Sequence, residues 1–179
     1  MERPLTGEPL SVDLLNTVWV ERGQDRDWLA TVSGLRSWLR ERELPAGRTD
    51  EHVRATLVHT RSVLRAVIDG LAGAEEQLNA VLARGLIVRA LDHGQLRERV
   101  VLSDETWRLA WQAADDYLHL RSTGPASIRR CAQPPCVLFF YDPSGRRRWC
   151  SMAGCGNRAK ARRHYAREKA VGSGPEPAA

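Results

Sequence analysis

Apolar positions along the first two thirds of the chain recur mostly every three or four residues, the period of a helix with one buried face. In "LSVDLLNTVWV", Leu10, Leu14 and Val18 fall on one side. Trp28, Val32, Leu35 and Leu39 repeat that spacing, with Trp38 beside them, until Leu44-Pro45-Ala46-Gly47 stops the pattern. Asp50 is placed to cap the next helix, whose stripe is Val53, Leu57, Leu64, Val67, Ile68 and Leu71. Gly70 and Gly73 then break the period, and "AEEQLNAVLAR" predicts a shorter third helix. "LIVRALDHGQLRERVVL" changes character, with β-branched residues on both sides of Asp92-His93-Gly94-Gln95, and predicts a hairpin. Ser103 offers a cap for a further helix, with Asp104 and Glu105 in its first turn and Trp107, Trp111, Ala114 and Leu118 along one face.

Beyond "RSTGPAS" the pattern is no longer that of a helical core. Four cysteines appear, all in the last third of the 179 residues, spaced C-x4-C-x13-C-x4-C at Cys131, Cys136, Cys150 and Cys155. Between the inner pair, "VLFFY" reads as a strand, "DPSG" as a type I turn and "RRRW" as the returning strand, a hairpin that would bring Cys136 and Cys150 together at its base. Paired ligands joined by such a connector are the layout of a structural tetrahedral metal site. Four thiolates suit zinc, a redox-inert tetrahedral ion, and leave no open position for catalysis. Iron takes the same ligands, but these spacings match none of the ferredoxin patterns. A thioredoxin-like redox pair would have two intervening residues, not four.

Composition sharpens this. A hydrophobic fraction of 42% with six Trp supports one sizeable core. No stretch approaches the roughly 18 apolar residues of a membrane span, and "MERPLTGEPL" has no apolar leader core, so the expected location is the cytoplasm, where thiols stay reduced. The net charge of +5 is unevenly placed: Arg129 to Lys169 holds nine Arg and two Lys against Asp142 and Glu168, a net +9, which leaves −4 for the rest. At about 100° per residue, Arg158, Arg162, Tyr165 and Lys169 share one face of the terminal helix and Lys160, Arg163 and Arg167 another. A basic helix anchored at a metal ligand suits phosphate contacts and groove readout, whereas an unanchored basic run would be only a solvated tail.

Cys155-Gly156-Asn157-Arg158, within "RRWCSMAGCGNRAKARRHYAR" and with "CAQPPC" and "FFYDPSG" upstream, resembles the CGNR zinc finger. In that family the finger follows an N-terminal ABATE domain opening on an Asp-x-x-Asn-Thr-like segment, which Asp13, Asn16 and Thr17 resemble. The resemblance implies a bacterial, stress-induced transcription regulator with structural zinc and a sensing or binding N-terminal domain.

The expected architecture is therefore mainly α with small β elements. An α-rich domain occupies 1–121, a linker 122–128, the finger with its hairpin and basic helix 129–170, and a disordered tail 171–179. The metal ligands are Cys131, Cys136, Cys150 and Cys155. Nucleic-acid contacts fall to Arg158, Lys160, Arg162, Arg163, Arg167 and Lys169. Asp13, Asn16 and Thr17 are candidates for a small-molecule pocket, although such residues near a helix end also cap turns. His52, His59 and His93 lack ligand spacing, and the tryptophans read as core rather than as an aromatic cage. With no phosphate loop, nucleophile elbow or catalytic carboxylate pair, the reading is a non-enzymatic, DNA-binding regulator that dimerises or receives an effector through its N-terminal domain. An RNA-binding module, or a small-molecule-binding protein whose finger mediates protein interaction, are the alternatives.

Overall fold

The computed structural model describes residues 3–45, 47, 49–124 and 127–172, so most of the expected tail, 173–179, lies outside the described residues. The chain is mainly helical with three small antiparallel strand pairs. Helix α1 (Leu10–Leu15) is the axis of the core: Ser11, Val12, Asp13, Leu14 and Leu15 are all buried. Pro9 at its start provides no side-chain cap. Instead Asp116 accepts hydrogen bonds from the Ser11 N–H at 2.8 Å and hydroxyl at 2.6 Å, tying α1 to α5 (Arg108–Thr123).

Around α1 pack α5 and α3 (Glu51–Ile68), with α2 (Val32–Glu41) and α4 (Ala74–Leu82) flanking α3. Asp50 caps α3 by accepting from His52 N and Val53 N, as its position predicts. Gly73, with φ of 76°, opens α4. Trp38 is fully buried and Trp111 nearly so, their indole N–H groups donating to Asp13 and to the Leu82 carbonyl. Among the described residues no helix is long and apolar enough to cross a membrane.

Four expectations need correction. Leu71 does not belong to the buried stripe of α3, which ends at Ile68, and it is exposed. Val18 does not continue the first helix, because α1 ends at Leu15. Val18–Glu21 (β1) and Gln24–Asp27 (β2) pair as a hairpin. Its turn carries Arg22 and Gly23 at φ of 52° and 79°, and Asp27 is clamped by Arg61 with two contacts of 2.7 Å. Ser103 is not the cap before α5: Asp104 accepts from Thr106 N, while the Ser103 hydroxyl donates to the Arg84 carbonyl. In the finger, Phe139–Tyr141 (β6) pairs not with the following "RRRW" but with Ile128–Arg130 (β5) upstream. The Asp142 carboxylate takes the Arg147 N–H at 2.7 Å and the Ser144 hydroxyl at 2.6 Å, closing the loop through a side chain. The hairpin predicted around His93-Gly94 does form, as β3 (Gly85–Asp92) and β4 (Gln95–Leu102).

Strand β6 is where the two halves of the chain meet. Adjacent strand residues face opposite ways. Phe139 therefore enters the main helical core while Leu138 and Phe140 enter a second core with Trp19 and three of the cysteines. Both phenylalanines are fully buried. Ile128, the last residue of the expected linker, also joins the helical core, so with Phe139 the residues before, within and after that linker pack together.

Candidate metal centre

The four cysteine sulfurs lie within 4.8 Å of one another, and among the described residues no other cluster of ligand-type side chains does so. Cys131 leaves β5 and is held by its N–H to the Leu138 carbonyl at 2.8 Å. Cys136 closes the first loop on the Gln133 carbonyl at 2.8 Å. The Arg147 guanidinium fixes the Cys150 carbonyl at 2.7 Å. Cys155 sits in a single π-turn, Met152–Gly156, whose Ser151 accepts from Gly154 N and Gly156 N.

The geometry fits a tetrahedral ion. A metal–sulfur distance of about 2.3 Å gives a tetrahedron edge of about 3.8 Å. Cys136 Sγ to Cys150 Sγ is 3.9 Å and Cys150 Sγ to Cys155 Sγ 3.5 Å. At these separations the thiols compete for charge. The contact with Cys150 pulls the Cys136 thiol down and pushes that of Cys150 up, and burial raises Cys155. All four could be thiolates at once around a bound divalent ion, which would remove that conflict.

Two donors address the sulfurs directly. The Cys150 N–H reaches Cys131 Sγ at 3.4 Å, and Arg158 Nη2 reaches Cys155 Sγ at 2.9 Å. The four consecutive residues 155–158 thus divide the work. Cys155 supplies one of the four sulfurs that could hold a metal ion. A Cβ on Gly156 would press on Met152 Sδ at 2.8 Å, and the Asn157 amide closes on the Ala153 carbonyl at 3.2 Å. Arg158 offsets thiolate charge from the first turn of α6 (Asn157–Gly172). Arg158 was a nucleic-acid candidate; the structure turns its guanidinium to the Cys155 sulfur.

The remaining cationic candidates point outward. Lys160, Arg162, Arg163 and Arg167 are exposed, as is every described side chain from Lys160 to Glu168. Lys169 lies within α6, but its side chain is outside the described residues.

Asp13, Asn16 and Thr17 are 0%, 1% and 0% exposed and engaged inside the chain. Asp13 is paired with Arg3 at 3.0 Å and accepts from Trp38 at 2.7 Å. Thr17 donates to the Leu14 carbonyl and accepts from Arg61. Asn16 behaves as a strand partner: its amide donates to the Phe139 carbonyl at 2.9 Å and accepts from the Phe139 N–H at 2.8 Å. Glu8 likewise accepts the Tyr141 N–H at 2.8 Å. Neither docking role leaves a local pattern in the sequence, because each side chain pairs with a backbone 123 or 133 residues away.

A cysteine-rich metal finger built onto a helical domain is thus the class that fold and site define. The chain belongs to the ABATE family, whose model matches residues 8–124 and is described as "Putative stress-induced transcription regulator". The CGNR zinc finger model matches residues 127–168. No curated protein matches the chain.

Proposed function

We propose that this is a cytoplasmic, zinc-containing transcription regulator that binds DNA through α6 and acts by binding, not by catalysis. In this reading the N-terminal domain dimerises or receives a small-molecule signal. The observation that carries it is α6 itself. From Lys160 to Glu168 the helix has no buried face, yet its start is fixed to the body through Cys155 and Arg158. A helix about 10–12 Å across matches a major groove about 12 Å wide, and its exposed Lys160, Arg162, Arg163 and Arg167 suit phosphate contacts. Zinc is the ion favoured by four thiolates at these spacings.

Fluorescence anisotropy on duplex DNA and on structured RNA, at matched salt, tests this. Four phosphate contacts predict a log–log salt slope of about −3.6 on B-DNA. Arg162→Ala with Arg163→Ala should weaken binding strongly at unchanged zinc content. Equal affinities would remove those arginines as contacts, and tighter binding to RNA would select the RNA-binding alternative.

A further inference from the structure

The β3–β4 hairpin stands out from the body as two strands alone. At its root, a Cβ on Gly85 would come within 2.9 Å of both Leu102 and the Trp111 indole, so that end is packed. Beyond the root, Leu86, Val88, Leu91, Leu96 and Val101 are between 37% and 79% exposed. They are five of the nine large hydrophobic side chains exposed among the described residues. A two-stranded ribbon wet on both faces is marginal in water, and apolar side chains concentrated in this way mark an interaction surface.

The ladder decides which edge is open to a partner. Asp92 opposite Gln95 closes a two-residue loop with His93 and Gly94 at φ of 48° and 76°, a type I′ turn. From that closing pair, Ala90, Val88 and Leu86 turn their backbone groups toward β4, while Leu91, Arg89 and Ile87 turn theirs outward. Pairing an edge with its own copy about a twofold axis places residues of equal parity opposite each other. On the β4 edge, centring at Glu98 sets Glu98 against Glu98 and Arg97 against Arg99, and centring at Arg97 or Arg99 sets that arginine against itself. Like charges directly opposite are destabilising, and the Val100 centre that avoids them pairs only the five strand residues 98–102, so β4 is the more guarded edge.

The β3 edge is not guarded. Centred on Val88, it sets Val88 against Val88 and Leu86 against Ala90 on one face, and Ile87 against Arg89 and Gly85 against Leu91 on the other. No like charges meet. Leu91, the most exposed large apolar side chain of the hairpin, comes to lie beside the Leu102–Trp111 root of the second copy. Centring one residue on, at Arg89, would set Arg89 against itself, and centring one residue back, at Ile87, would pair only the five residues 85–89, so the Val88 register is the longest that sets no like charges opposite.

We propose that β3 pairs antiparallel with β3 of a second copy about a twofold axis at Val88, making one four-stranded sheet from two hairpins. Seven paired residues give about 24 Å of edge and about eight backbone hydrogen bonds. That is a small interface, at the low end for specific association, so the dimer is concentration-dependent. The pairing gives a surface to the dimer reading proposed above, and it is tested without DNA so that the two stand or fall separately.

Sedimentation equilibrium of the full, zinc-loaded chain at micromolar concentrations should give twice the 20.1 kDa chain mass. Arg89→Pro removes an outward N–H of β3; Glu98→Pro removes one of β4, and both lose the same 2.7 Å Arg89–Glu98 ion pair. Only Arg89→Pro should weaken dimerisation, by tenfold or more, with the helical circular dichroism of both variants unchanged. In a glutathione redox buffer Val88→Cys should cross-link two copies, and Arg89→Cys should not. A monomer at all concentrations, a dimer indifferent to Arg89→Pro, or cross-linking through Arg89→Cys in place of Val88→Cys would overturn the proposal.

Discussion

Replacing Asn16 by Ala should destabilise the folded chain by about 2–6 kcal/mol, although the residue touches neither the cysteine cluster nor α6. Its amide satisfies both backbone groups of Phe139, at 2.8 and 2.9 Å, with 1% of the residue exposed. Alanine leaves a buried N–H and a buried C=O unpaired, each costing about 1–3 kcal/mol. Against a total stability of about 5–15 kcal/mol this is a large share. Asn16→Asp separates hydrogen bonding from packing. The near-isosteric carboxylate still accepts from the Phe139 N–H but sets an oxygen against the Phe139 carbonyl, so at neutral pH it should be at least as destabilising as alanine. Urea unfolding at fixed zinc concentration, followed by tryptophan fluorescence and by a colorimetric zinc indicator, reads both consequences. In wild type the two signals should change together, because β6 belongs to both cores. A shift below about 0.5 kcal/mol for Asn16→Ala, typical of an uninvolved surface site, would refute the reasoning.

The fragment 1–124 lacks Phe139 and Ile128 from its core; losing one buried Phe side chain alone costs about 3–5 kcal/mol, so its melting temperature should fall well below that of the full chain. Arg158→Gln should speed zinc release to a competing chelator by about 10–100-fold while Arg158→Lys retains part of the effect, because the guanidinium offsets charge on Cys155. Glu8 has its carboxyl raised by burial, partly opposed by the Tyr141 N–H. Folding therefore favours its protonated form, a contribution present below the unfolded-state pKa and lost as pH rises through the higher folded value. Glu8→Gln keeps an acceptor for Tyr141, so in side-by-side urea titrations it should gain on wild type as pH climbs from about 4.5, the gain levelling off above the folded value.

What could be read from sequence was what is local. Cys spacing, the Asp50 cap and the His93-Gly94 turn each depend on residues within a few positions, and the structure shows each where it was expected. Leu10, Leu14 and Val18 fit a helical period, but three points cannot distinguish a helix from a helix that ends in a hairpin. The Arg22 turn, with a non-glycine residue at φ of 52°, gave no composition signal. In the finger, "RRRW" looked like the strand facing "VLFFY" because it was nearest; the Asp142 side chain satisfies the Arg147 N–H and frees β6 to pair with β5. Asp13, Asn16 and Thr17 carry the chemistry of a cap, a dock or a ligand contact alike, and only the fold says which is used.

Those contacts change what metal removal should do. A finger with no apolar core would be expected to unfold throughout when Cys155→Ser takes away one ligand. Here Leu138 and Phe140 pack with Trp19, and Phe139 is held by Asn16 within the helical core. Neither set of contacts passes through the ion, so β5 and β6 should stay docked. The π-turn and α6 have no comparable support: their link to the body is Cys155 with its partners, and beyond Ala159 every described side chain of α6 is exposed. Metal loss should therefore release residues 152–168 first, and with them any binding of a polyanion. Hydrogen exchange of the full chain, with and without a chelator, resolves this by segment. Amides of α6 should lose protection at once while those of α1, α3 and β6 keep theirs. If α1 and β6 exchange as fast as α6 after chelation, the metal supports the whole chain and the apolar contacts of β6 are too weak to hold it alone.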